Sequence, residues 1–162
     1  MLNVDEILFK FIEIIIENMS KILGIDLGTK YLGIAVSDDS EKIALPYGVI
    51  SVKNEGEIFK KIVEIAGLKE LNKILLGLPI HLSMDESNMS LLARKIAKRL
   101  NKAGFEIILW DERLSSVEAE REMRAMGMKP SHDRKKINEI SAVLILQNYL
   151  DSQNKQDDDE KN

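Results

Sequence analysis

Two apolar runs rich in β-branched residues, Ile22 to Leu27 and Tyr31 to Ser37, are separated only by Gly28, Thr29 and Lys30. Strand-length runs joined by so short a polar link have one simple solution, an antiparallel hairpin closed at that link. A third run, Ile43 to Val52, follows the polar turn Ser37 to Glu41 and extends the hairpin to a three-stranded meander. The period then changes. Ile58, Ile62, Val63, Ile65 and Ala66 recur at helical spacing, Lys73 to Leu78 is a short apolar run of strand length, and Met89 to Leu100 is helical again. Phe105 to Trp110 reads as another buried strand. Ser115 to Met126 and Ile137 to Tyr149 read as helices, separated by Gly127, Pro130 and a basic loop. Three antiparallel strands followed by alternating helices and strands predict an α/β domain, a mixed five-stranded sheet flanked by helices.

That domain is expected over residues 19–150, since 162 residues with 44% hydrophobic content suit one core. Upstream, Ile7 to Ile16 is apolar but interrupted by Lys10 and Glu13. The stretch is too short to span a membrane and has no basic flank or small-residue cleavage site, so it reads as neither anchor nor signal. Its spacing suits an amphipathic helix. Met19-Ser20-Lys21 leads directly into the first strand, so residues 1–18 are read as an extension upstream of a natural start at Met19. Residues 151–162 are polar and acidic without apolar anchors, and are expected to be a disordered tail.

Composition removes several chemistries. The absence of cysteine excludes disulfides, a thiolate nucleophile and Cys-ligated metal, and fits a reducing cytoplasm. His81 and His132 are far apart and in no zinc-binding spacing, so any metal here is held by carboxylates. The net charge of −4 argues against nucleic acid only until its distribution is considered. Each end carries −3, while residues 19–150 hold 20 Lys and Arg against 18 Asp and Glu.

Asp26 is the first chemically conspicuous residue, because a carboxylate within the run Ile22-Leu23-Gly24-Ile25-Asp26-Leu27 must be desolvated unless something compensates it. A divalent cation is one compensation; hydrogen bonds to the amides of the following turn are the other, and spacing does not choose between them. Asp111 and Glu112 follow the strand Phe105 to Trp110 directly. They read either as helix N-terminal decoration or, with Asp26, as carboxylates gathered at strand ends to share metal.

GIDLGTKYLGIAV, the Gly77-Leu78-Pro79 exit, DERLSSVEAE at Asp111 to Glu120 and the closing SAVLILQNYL together resemble the YqgF/RuvX family over Lys21 to Leu150. The resemblance implies an RNase H-like fold and a nuclease, described either as processing pre-16S rRNA or as resolving Holliday junctions. It implies that Asp26 and Glu112 are metal-binding acids served by Mg2+ or Mn2+. The family's third acid falls on Asn138, which offers a carbonyl oxygen but no charge. Glu139 is adjacent on a different helix face, and the same position reads alternatively as part of an altered, inactive site. The run Gly24 to Thr29 also resembles the first phosphate loop of actin-like ATPases, but the chain has no room for their second domain.

Lys30 and Arg113 lie beside the two acids in sequence and are candidates to meet substrate phosphates or to pair with nearby carboxylates. Basic residues cluster on the helix containing Arg94, Lys95, Lys98, Arg99 and Lys102, a pattern common on solvated faces. They cluster again at Lys129, His132, Arg134, Lys135 and Lys136 in the loop before Asn138. The second cluster is placed to steer a phosphate backbone, with Arg134, Lys135 and Lys136 as the contacts. One Trp, three Tyr and four Phe display no aromatic platform for stacking bases. The expected partner is structured nucleic acid, precursor rRNA or branched DNA, bound by a monomer or weak dimer away from membranes. A non-catalytic RNA-binding assembly factor is the competing class, with Asn138 as its best evidence.

Overall fold

A computed structural model describes residues 1–18, 21–78, 88–111, 121–127, 129 and 134–159, without the side chains of 13–18, 134 and 156–159. Its centre is one sheet of β1 (Ile22–Leu27), β2 (Tyr31–Ser37), β3 (Ala44–Ser51), β4 (Lys73–Leu78) and β5 (Glu106–Asp111), in the order β3-β2-β1-β4-β5. The first three strands pair antiparallel as the expected meander, and β4 and β5 add in parallel beside β1. The parallel pairs need crossovers, which α2 (Glu55–Leu68) and α3 (Asn88–Lys102) provide.

Alternation along the strands splits the core in two. On one face Leu23, Ile25, Ile74, Leu76 and Ile107 pack with Ile58 and Ile62 of α2 and Ile96 and Leu100 of α3. On the other, Ile22, Leu75, Ile108 and Trp110 pack against Ala142, Ile145, Leu146 and Leu150. Those last four belong to α4 (Arg134–Asp159), which packs across β1, β2 and β3 on that face. Trp110 meets Tyr149 of α4 edge-on with ring centres 5.3 Å apart. The start of α2 is held by Asn54 Oδ1, which accepts from the Glu57 amide at 2.9 Å, while Glu57 Oε2 accepts from Lys53 N. Glu55 faces Lys95 at 2.9 Å and Arg99 at 3.6 Å, and Arg99 covers the Phe59 ring, so two of the basic residues predicted on this helix face belong partly to the α2–α3 packing.

Several expectations change. The third strand begins at Ala44 rather than Ile43, whose side chain is exposed, because β3 is the sheet edge and has one neighbour to pair with. Lys135 and Lys136 lie in the first turn of α4 rather than in a preceding loop. The tail expected to be disordered continues α4 to Asp159. Elongation adds one hydrogen bond per residue fixed, and Asp151 and Asn154 add side-chain bonds to Gln147 and to the Leu150 carbonyl, so the helix outlasts its core contacts. Of the expected helix Ser115 to Met126, residues 121–125 are helical with Met123 fully buried, and 112–120 lie outside the described residues. At the other end α1 (Val4–Asn18) is a helix opened by a reciprocal Asn3–Glu6 pair, with Val4, Ile7, Leu8, Phe9, Phe11 and Ile12 exposed. Among the described residues no helix is long and apolar enough to cross a membrane.

Candidate active site

Strand alternation decides which acids face which layer. Leu23, Ile25 and Leu27 enter the α2–α3 core, so Ile22, Gly24 and Asp26 face α4, and Asp26 is buried there at 8% exposure. The same period on β5 sends Ile108 and Trp110 toward α4, leaving Ile107, Leu109 and Asp111 on the α2–α3 face. Asp26 and Asp111 therefore lie on opposite faces of the sheet. Glu112 and Arg113 lie outside the described residues.

Glycines bring α4 onto the Asp26 side of the sheet. The cross-strand partner of Asp26 is Gly33, and a β-carbon built on Gly33 would collide with the backbone carbonyl of Asn138. One built on Gly24 would come within 2.9 Å of Leu146 Cβ. The helix thus rests on bare backbone at Gly33 and Gly24, and Asn138 is seated beside the position of Asp26, on the same face. From there Asn138 Nδ2 donates to the Tyr31 carbonyl at 3.1 Å, and the same nitrogen would be 2.9 Å from a β-carbon on Gly28. Between the β1–β2 turn and the start of α4 lies a cleft of about 180 Å³ lined by Gly28, Thr29, Lys30, Tyr31, Ile137 and Asn138.

Cations surround this cleft. Lys30 is exposed on its wall, and Lys135 Nζ lies 5.3 Å from the centre of the Tyr31 ring. Lys136 pairs with Glu139 at 2.6 Å, so Glu139 is engaged by a neighbouring cation. Arg134 opens α4, its side chain outside the described part. The first turn of α4 holds no acid, and three consecutive cations at the positive end of a helix dipole are each unfavourable by roughly 0.3–1 kcal/mol, a cost that an anion at that end reverses. Ser141, close beyond Asn138 on α4, is buried with no hydrogen-bond partner for its hydroxyl among the described residues. Such an orphan group is the kind that ordered water satisfies. The oxygens of Asp26 and Asn138 fit a hard divalent cation in kind. Among the described residues no three His, Asp or Glu side chains gather closely enough to hold one.

Tyr31, Gly28 and Gly33 escape a reading by residue chemistry, because their contributions are a ring beside a lysine, a backbone carbonyl and missing β-carbons. The available signal is small residues on both partners, Gly24, Gly33 and Ala35 on the strands and Ser141 and Ala142 on the helix, which marks a close approach of backbones.

A family model described as RuvX, Holliday junction resolvase, matches residues 20–152. The chain belongs to the RuvX family. The match starts after α1 and takes in all five strands. A protein of Lactococcus lactis subsp. cremoris (strain MG1363) named "Putative pre-16S rRNA nuclease" is 38% identical over 136 residues, 82% of this chain and 95% of the relative. One of the same name from Anaeromyxobacter sp. (strain K) is 37% identical over 130 residues, 80% of this chain and 95% of its own. Among solved structures, T. thermophilus RuvC in complex with a Holliday junction substrate aligns at TM-score 0.54 and 14% identity, covering 82% of this chain and 95% of that one. Fowlpox virus resolvase with Holliday junction DNA aligns at TM-score 0.53 and 10% identity, covering 82% and 97%. The chain accordingly has the expected RNase H-like fold.

Proposed function

We propose that this RuvX-family protein is a metal-dependent endonuclease that hydrolyses phosphodiester bonds at the 5′ end of pre-16S rRNA, in cytoplasmic ribosome biogenesis. The observation that carries the reading is the burial of Asp26 on the α4 face, beside Asn138 and below a helix end crowded with cations. A buried carboxylate is a hard anionic ligand for a divalent cation, and a helix start rich in cations attracts phosphate. A metal ion and a phosphodiester together would suit both features.

In this reading Asp26, Glu112 and the Asn138 carbonyl oxygen hold Mg2+ or Mn2+. The assignment requires position 112 to continue the row of Ile108 and Trp110, two residues apart on the α4 face. Held by these residues, the cation would supply Lewis-acid chemistry, activating water for in-line attack and stabilising the charge that develops on the phosphoryl and leaving oxygens. Asp26 and Glu112 contribute the anionic oxygens that fix its place. Lys30, Arg113, Arg134, Lys135 and Lys136 bind the flanking phosphates and hold the strand in register, which gives affinity without base sequence.

The resolvase alternative uses the same residues on branched DNA and is favoured by the description of the family. The test is cleavage of a precursor rRNA 5′ leader and of a four-way DNA junction, with Mg2+ or Mn2+, by the parent and by Asp26→Asn. Expected is metal-dependent cutting of the leader that falls at least about a hundredfold in Asp26→Asn, whose fold is unchanged. Preferential junction cutting would select the resolvase, and a parent that binds RNA without cutting it would select a non-catalytic assembly factor.

A further inference from the structure

Asn138 stands where the family resemblance calls for an acid, yet its local bonding uses the one thing an acid lacks. Its carboxamide nitrogen lies 3.1 Å from the carbonyl oxygen of Tyr31, 107 residues away in the chain. A backbone carbonyl only accepts, so the amide must present N–H there, and its Oδ1 is turned to the other side of the group. The bonded carbonyl belongs to the first residue of β2, immediately after the turn Gly28-Thr29-Lys30 that walls the cleft. One turn earlier on the same helix Lys135 lies over the ring of the same tyrosine. Tyr31 is thus gripped from α4 at its backbone and at its side chain. On the opposite side the turn is tied by Val52 N donating to the Lys30 carbonyl at 2.9 Å. Gly28 supplies the room, since any β-carbon there would meet both the Tyr31 carbonyl and Asn138 Nδ2.

We infer that Asn138 is a positioning residue, whose carboxamide N–H locks the Gly28–Tyr31 turn against α4 and so sets the wall of the cleft, a task no carboxylate at that position can perform. An ionised aspartate has the same shape and no donor; two acceptors would face each other across the present bond. The residue is therefore a substitution of function, from one anionic ligand to a neutral group working from both ends. The lock itself is independent of the nuclease reading; only its effect on cleavage rests on that reading.

Two measurements on the full chain test it. In 1H–15N spectra of the parent, the Asn138 side-chain amide is expected to be a resolved, exchange-protected pair, slower than solvated Asn and Gln side chains by at least about tenfold. Asn138→Asp is expected to accelerate backbone amide exchange in peptides covering Leu27–Gly33 by about tenfold or more, with α2 unchanged. In the cleavage assay the same variant is expected to lower kcat/KM, where a restored metal ligand would raise it. An Asn138 amide exchanging at the solvated rate would overturn the inference, even if the variant fails to fold. So would an Asn138→Asp protein with unchanged exchange at 27–33. Loss of protection in the variant alongside a parent that never cuts RNA or DNA would retain the lock and remove the nuclease reading alone.

Discussion

Gly33→Ala isolates the contact on which the site is assembled. The added β-carbon would overlap the carbonyl oxygen and carbon of Asn138 and stand 3.1 Å from the amide nitrogen of Glu139. All three are helix backbone, so no rotamer change relieves them, and α4 must lift from β2 or tilt. Overpacking of a core costs about 1–3 kcal/mol where side chains yield, and a backbone obstacle puts this substitution at or above about 3 kcal/mol. For a chain of 162 residues each kcal/mol lowers Tm by about 2–4 °C, so a fall of about 6–12 °C is expected in a calorimetric or circular-dichroism melt. Gly67→Ala is the matched control: it lies in α2, nothing stands within 4 Å of its β-carbon, and relief of glycine's entropy cost is expected to stabilise the protein by about 0.5–1 kcal/mol. Because Gly33 pairs with Asp26, lifting α4 also separates Asn138 from that carboxylate, and cleavage is expected to fall more than the loss of folded protein explains. A Gly33→Ala protein melting within about 2 °C of the parent would refute the close approach and the site built on it.

Strand alternation predicts unequal roles for neighbouring acids: Glu112→Gln is expected to abolish cleavage as Asp26→Asn does, while Asp111→Asn, on the opposite face, retains it within about threefold, by initial rates on the rRNA leader. At the β2–β3 turn, the Ser40 hydroxyl and then the amides of Ile43 and Lys42 donate to Asp38 and lower its pKa from 3.8 to about 2. A depressed carboxyl pKa adds stability that is complete above the unfolded value and is lost as pH falls through the folded one. The turn is therefore expected to loosen only between about pH 4 and pH 2, and Ser40→Ala to move the Asp38 midpoint upward, both read from carboxyl 13C shifts.

Much of the sheet is legible locally. The runs Ile22–Leu27, Tyr31–Ser37 and Lys73–Leu78 are strands to the residue, because each is short, apolar and bounded by residues that favour turns. Boundaries drift where the environment decides them: β3 shortens at an edge, and β5 runs from Glu106 to Asp111 because its ladder with β4 extends to Leu78. The end of α4 is misread for a related reason, since lack of apolar anchors predicts lack of packing and not the end of a hydrogen-bonded helix. Tyr31 illustrates the other limit. In the sequence it is one dispersed aromatic residue, and in the fold it is held by Lys135 and Asn138, both more than a hundred residues away.

The sequence by itself determines the strand order along the chain, the awkward placement of a carboxylate in an apolar run and the crowding of cations before Asn138, because these depend on residue type and short-range period. Only the tertiary structure decides that Asp26 and Asn138 share a face, that Asp111 is excluded from it, and that the amide of Asn138 reaches a backbone carbonyl. Which side of a strand meets which helix is set by packing between distant segments. Here that packing turns on three glycines whose missing β-carbons let α4 and the β1–β2 turn come within hydrogen-bonding distance.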